Sequence, residues 1–178
     1  SNPVWTPNSS EMLGTPGANY TENLLTGTRD FTGEWNHLDR GTVTSDTYKG
    51  CRVFETTRQW GGTSKPVHLE PGTYTFSAYA RVSSQEQVNI YLNDAYNTQP
   101  VIGTEWQRVR LVFKVDTAGS YIPRIEKHLA TSTVLYMAGY KVEEGDNSGP
   151  VWSPAPSEQV GQSAKTVIVN SDATAFMY

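Results

Sequence analysis

The chain has 178 residues, a net charge of −4, a pI near 5.3 and a single cysteine, Cys51. That balance offers no basic footprint of the kind a phosphate backbone or an anionic membrane surface requires, so neither nucleic acid nor membrane is an expected partner. One cysteine excludes an intrachain disulfide framework and a cysteine-based zinc site, and ten Tyr, five Trp, 15 Gly and 10 Pro favour an all-β domain.

Residues 1–21 are rich in Pro, Asn, Ser, Gly and Thr and lack periodicity, which reads as a linker or the end of a preceding module. Asn2–Glu11, N-P-V-W-T-P-N-S-S-E, is nearly repeated at Gly149–Glu158, G-P-V-W-S-P-A-P-S-E, with six of ten positions identical. Trp5 and Trp152 stand 147 positions apart, the size of one domain, so the two stretches read as successive ends of tandem modules. Pro-flanked aromatics also occur in rigid linkers. Trp152 is expected to be substantially buried against the module it closes, and Trp5 comparatively free.

A module over residues 22–158 opens at Asn23-Leu24-Leu25, and Cys51–Thr57 carries enough β-branched and aromatic residues to be a strand. Trp60 follows in the loop Gln59-Trp60-Gly61-Gly62-Thr63, where a Trp beside two glycines is not expected to be simply core. The Pro71-Gly72 turn leads into Gly72–Val82, which places Phe76, Ala78, Ala80 and Val82 on one face and Thr75, Ser77, Tyr79 and Arg81 on the other. Val88, Ile90 and Leu92 alternate with Asn89, Tyr91 and Asn93 in the same way, and a loop over Asp94–Gly103 carries Tyr96 and Asn97. Trp106–Val115 gives a core face of Val109, Leu111, Phe113 and Val115 opposite Arg108 and Arg110, with Trp106 outward by parity.

Tyr121–His128 and Thr133–Glu143 complete the set, and Val134, Tyr136, Ala138, Tyr140 and Val142 share a parity. Short strands at short spacing with no helical period predict a two-sheet antiparallel β-sandwich, most simply a jelly roll. Residues 159–178 change character, with Thr166–Asn170 and Ala175–Tyr178 suggesting a C-terminal extension or the start of a following element.

For catalysis the pattern is poor: no nucleophile elbow, phosphate loop or metal helix is present, and His37, His68 and His128 are isolated. Asp94, Asp116 and Asp146 are scattered, so no metal site or other cofactor is expected. Binding has more support. Tyr79 and Tyr91, with Arg81, Asn89, Arg108 and Arg110 around them, would form a sugar-binding face if their strands are neighbours, since sugars stack C–H patches on rings and pair hydroxyls with amides and guanidinium groups. The plainer alternative is that Tyr favours strands and Arg solvates them. Trp60, Tyr96 and Asn97 mark a second possible site on the rim.

Asn23-Leu24-Leu25, the run Leu69–Tyr79, Thr104-Glu105-Trp106, and Lys141-Val142-Glu143-Glu144-Gly145 leading into Trp152-Ser153-Pro154-Ala155-Pro156 together resemble the carbohydrate-binding-module-like jelly rolls of bacteriophage tail and baseplate proteins. The resemblance covers about Asn23–Glu158 and is most specific at its closing runs. It implies a non-catalytic module on the tail or baseplate of a virion infecting a Gram-positive host, contacting other tail or baseplate subunits and adhering to a cell-wall or cell-surface polysaccharide. A structural spacer of the tail and an ancillary module of a cell-wall glycoside hydrolase are the alternatives. No ligand residue is carried over from the family, and Met137-Ala138-Gly139-Tyr140 lacks the carboxylate with which related modules hold calcium.

Overall fold

The structure is a computed structural model and describes residues 21–159; the expectations for residues 1–20, including Trp5, and for 160–178 lie outside the described residues. Among the described residues there are eleven strands: β1 (Thr42–Tyr48), β2 (Cys51–Thr56), β3 (Val67–Leu69), β4 (Gly72–Val82), β5 (Glu86–Asn93), β6 (Tyr96–Thr98), β7 (Val101–Ile102), β8 (Gln107–Val115), β9 (Gly119–Tyr121), β10 (Arg124–Lys127) and β11 (Leu135–Glu144). Among the described residues there is no α-helix, only single 3₁₀ turns at Leu38–Arg40 and Pro156–Glu158.

The strands form two antiparallel sheets packed face to face. One runs β1-β2-β11-β4-β8 and the other β10-β5-β6, with β7 also pairing with β5, while β3 and β9 make a separate two-stranded piece. This is the jelly-roll sandwich expected from the alternation. Phe54, Phe76, Ala78, Val109, Leu111 and Phe113 from the larger sheet meet Val88, Ile90 and Ile125 from the smaller, all nearly solvent-free. A fully buried Phe contributes about 1.5–3 kcal/mol by leaving water, so these rings alone weigh heavily against chain entropy.

Two local features shape the larger sheet. Lys49 and Gly50 turn β1 into β2 with φ of 48° and 79°, the paired left-handed conformation whose twist matches a hairpin. In β11 the register slips between Ala138 and Lys141, where Gly139 has φ 59°. This bulge corrects the expectation of one parity along the strand. Tyr136 and Ala138 face outward, whereas Tyr140 and Val142 face the core.

β2 pairs with β11 only over Leu135–Met137, and beyond it the entry segment reaches β11, with the Leu24 N–H donating to the Val142 carbonyl at 2.8 Å. Asn23, wholly buried, fastens this junction. Its Nδ2 donates to the Tyr140 and Ser153 carbonyls and to Thr28 Oγ1, while its Oδ1 accepts from the Leu25 and Val142 N–H groups. The exit stretch thus lies against the entry loop. Trp152 there is half-buried, and its Nε1–H donates to Thr28 Oγ1 at 3.0 Å.

Candidate functional site

β4 and β5 are consecutive but belong to different sheets: β4 pairs with β8 and β11, β5 with β10, β6 and β7. Tyr79 and Tyr91 therefore do not share a face, and seven of the residues singled out from sequence separate into two groups. Tyr79, Arg81, Arg108 and Arg110 lie on the outer face of the larger sheet. Asn89 and Tyr91 lie on the outer face of the smaller sheet, with Trp60 at its edge.

The first group is occupied internally. Tyr79 is only 6% exposed, packed with Cys51, Val53 and Ala138, and the Arg108 guanidinium lies 4.4 Å above its ring. Arg108 also donates to the Gly139 carbonyl at 2.6 Å and to Ser77 Oγ at 2.8 Å. Burial lowers its pKa to about 10, against the opposing pull of Tyr79, Cys51 and Glu143, so it stays charged at neutral pH. Burial likewise pushes the Cys51 thiol up to about 12. Arg81 is held between the Trp106 and Tyr136 rings, at 5.3 and 3.9 Å, and Trp106 stacks on Tyr48 at 4.5 Å. Arg110 pairs with Asp146 at 3.0 Å and donates to the Asn147 carbonyl. Tyr96, expected on a rim, packs its ring edgewise against Phe113 at 6.4 Å because β6 turns it toward the core.

The second group gains partners that the sequence reading left out. β5 and β10 pair Tyr91 with Arg124, Ile90 with Ile125 and Asn89 with Glu126. Alternation sends Ile90 and Ile125 into the core and brings the other four side chains onto the outer face. There Asn89 Nδ2 donates to Glu126 Oε1 at 2.8 Å, Arg124 Nε donates to Glu126 Oε2 at 2.8 Å, and the Arg124 guanidinium lies 4.3 Å above the Tyr91 ring. Asn97 sits opposite Tyr91 on β6. Asn89 and Glu126 are each only 5% exposed, and Asn89 Oδ1 is buried without a hydrogen-bond partner.

Trp60 extends this face past the end of β10. Its N–H donates to the Lys127 carbonyl at 2.7 Å and the Lys127 N–H returns a bond to the Gly61 carbonyl at 2.8 Å, so the loop runs beside β10 as a further strand would. Gly62 is required by that approach, since a Cβ there would lie 2.2 Å from the Ile125 carbonyl oxygen, while a Cβ on Gly61 would lie 2.4 Å from Thr56 Oγ1. Trp60 itself is 45% exposed, has φ 59°, and meets the His128 ring edgewise at 5.2 Å. His128 Nδ1 is buried and unpartnered. From Arg124 to His128 the strand rise covers about 13 Å, longer than one sugar ring.

Arg124, Glu126 and His128 carried a usable signal, the alternation R-I-E-K-H around the apolar Ile125. What the alternation lacked was the identity of the neighbouring strand. Among the described residues no group of three or more His, Cys, Asp or Glu side chains comes together in a way that could hold a metal.

No protein-family model matches the chain, and no curated protein matches its sequence. Solved structures do share its fold. It is similar to the CBM22-1–CBM22-2 tandem domain of Paenibacillus barcinonensis Xyn10C, at 14% identity and a TM-score of 0.55, over 77% of this chain and 50% of that one. The CBM22-1 xylan-binding domain of the same Xyn10C is 15% identical with a TM-score of 0.51, over 72% of this chain and 95% of that domain. TmCBM61, solved in complex with β-1,4-galactotriose, is 11% identical with a TM-score of 0.51, over 70% of this chain and all (100%) of that one. The chain thus has the β-sandwich fold of carbohydrate-binding modules.

Proposed function

We propose that the chain is a non-catalytic carbohydrate-binding module that holds a polysaccharide along the outer face of β5 and β10. The observation that carries this reading is the pair of ring faces on that side, Tyr91 and 45%-exposed Trp60, braced by the buried Asn89–Glu126–Arg124 network. Sugars supply the complement, with C–H faces that cover aromatic rings and hydroxyls that pair with polar groups beside them. Glu126 is tied to Asn89 and Arg124, so its carboxylate serves as an acceptor in a fixed network. No bond is broken in this reading. The fold shared with a xylan-binding domain and with a module solved on galactotriose supports it.

The closing runs Lys141–Gly145 and Trp152–Pro156, which resemble those of phage tail and baseplate modules, support a location on a virion tail or baseplate and a ligand in the host cell wall. Weak individual sites would then gain from many copies on one particle. The test is affinity electrophoresis and calorimetry of the full chain against a panel of wall polysaccharides and plant glycans. Trp60→Ala, Asn89→Ala and Tyr91→Ala should each weaken binding, while Arg110→Ala on the other sheet should not. Binding lost only in Arg81→Ala would move the site to the larger sheet, and release of reducing ends by the wild type would overturn the non-catalytic assignment.

A further inference from the structure

Beside the Trp60 turn lies a cavity that the β5–β10 face does not use. It has a volume of about 280 Å³ and sits where β2 ends and β11 begins, with Asp39, Arg40, Thr42, Glu55, Arg58 and Val134 in its lining. Gly41 makes it possible, since a Cβ there would overlap the Glu55 carbonyl oxygen and the Phe54 ring, so only glycine lets the Leu38–Arg40 turn lie against β2. Thr56 then fixes both walls with one hydroxyl. Its Oγ1 donates to the Arg40 carbonyl at 2.7 Å and accepts the Arg58 N–H at 3.2 Å.

The lining has the chemistry of a polyol site. Asp39 and Glu55 bring carboxylates, Arg40 and Arg58 guanidinium groups, and Thr42 a hydroxyl, while half-buried Val134 adds the apolar side that the C–H face of a ring needs. Two charges of each sign thus line one space, yet among the described residues the side chains of Asp39, Glu55 and Arg58 make no hydrogen bond or ion pair. Arg40 has one partner, its Nη1 reaching the Trp60 carbonyl at 3.5 Å. Carboxylates accept from neighbouring sugar hydroxyls and guanidinium groups donate to them, and equal numbers of each suit a neutral ring better than an ion. The volume lies just under the range of about 300–1,000 Å³ usual for small-molecule sites, which gives room for one ring and not for a chain.

The cavity and the aromatic platform share a wall. The Gly61 N–H donates to the Arg58 carbonyl at 2.9 Å, which closes a β-turn with Trp60 as its third residue. Arg58 lines the cavity, and Trp60, two residues on, meets His128 at the end of β10. We propose that the cavity is a second carbohydrate subsite that takes one terminal sugar residue, the tip of a side branch or the end of the chain held on the β5–β10 face. It rests on the carbohydrate-binding reading of that face and adds to it a preference for chain tips.

The probes are the methyl glycosides of glucose, galactose, rhamnose, arabinose and N-acetylglucosamine, each a ring with one glycosidic bond, titrated into the isotope-labelled full chain and followed by amide NMR. At least one should shift the amide signals of Gly41, Thr42, Glu55 and Thr57 with a Kd on the order of 1 mM. Glu55→Gln combined with Arg58→Gln should weaken that binding at least about tenfold, whereas Tyr91→Ala should leave it in place. For a polysaccharide that the wild type retains, affinity lost both on exo-glycosidase trimming of its branches and in the double variant marks a branch tip. Affinity that rises with the number of ends after endo-cleavage marks the chain end. No shift of the cavity amides by any of the methyl glycosides overturns the subsite, even where the β5–β10 face binds polysaccharide. Shifts at the cavity with Tyr91→Ala and Trp60→Ala without effect on any polysaccharide overturn the β5–β10 reading, and with it the link of the cavity to that chain.

Discussion

Asn89 donates its amide hydrogen to Glu126 across the β5–β10 pair and is left with a carbonyl oxygen that is buried and unbonded. A buried acceptor without a donor costs about 1–3 kcal/mol, and here that cost goes with the fixed placement of the Glu126 carboxylate, which in turn holds the Arg124 guanidinium over the Tyr91 ring. Asn89→Ala loosens that brace and should lower polysaccharide affinity by roughly tenfold. Calorimetry on the proposed ligand measures it. Unchanged affinity would place the sugar elsewhere.

Trp60 shows the same trade between stability and binding on the backbone. A bulky residue at φ 59° is strained, by about 1–2 kcal/mol relative to a residue free to adopt that region. Little of the ring is repaid by packing, since it is 45% exposed. Trp60→Gly should leave the melting temperature unchanged or higher, while removing the aromatic platform and with it at least about tenfold in affinity. A large loss of melting temperature would show that the ring is structural.

How far the sequence revealed these sites follows from what alternation encodes. It gives the face of a strand, and the faces of Phe76 to Val82, Val88 to Leu92 and Val109 to Val115 are as the pattern demands. It does not give the neighbour. Only Ser83-Ser84-Gln85 separates β4 from β5, yet the chain crosses there from one sheet to the other, which separates Tyr79 from Tyr91. Nor does parity survive a bulge. Gly139 was visible as a glycine inside an apolar strand, the usual mark of such an irregularity, and it reverses the faces of everything after Ala138. Trp60 was legible for a different reason, since paired glycines next to an aromatic imply a backbone pressed close to something.

Gly139 also holds the larger sheet and the exit stretch together. A Cβ there would stand 2.8 Å from Tyr79 Cδ2 and 3.3 Å from Trp152 Cγ, on a backbone at φ 59° that side chains rarely adopt. Gly139→Ala thus adds about 1–2 kcal/mol of backbone strain to about 1–3 kcal/mol of overpacking. The expected fall in melting temperature is roughly 4–15 °C. Near-ultraviolet circular dichroism should change with it, as Tyr79 and Trp152 shift. A variant as stable as the wild type would mean that β11 can straighten without its bulge.

Lys127 and Glu86 close the end of the sandwich as a buried pair, with Nζ to Oε1 at 2.7 Å and side chains 0% and 4% exposed. Lys127 also donates to the Leu129 carbonyl and to Thr131 Oγ1, and Thr131 donates to Glu86 Oε2, so every charged atom is engaged. Burial by itself would raise the Glu86 carboxyl, but the bonds from Lys127, Thr131 and Thr133 and the Lys127 charge outweigh it and hold the pKa below the usual range. A folded-state pKa below the unfolded one means that this stabilisation is complete above the unfolded carboxyl value of about 4.3 and is lost as pH falls through the lower folded value. Glu86→Gln leaves Lys127 charged and buried without its counter-ion, at a cost of about 3–5 kcal/mol. Glu86→Leu with Lys127→Met removes both charges and should recover most of that loss at pH 7, while flattening the decline in melting temperature between pH 5 and the acid limit. Scanning calorimetry of the three proteins across that range decides it: a double variant as acid-sensitive as the wild type would assign the acid transition to other carboxylates.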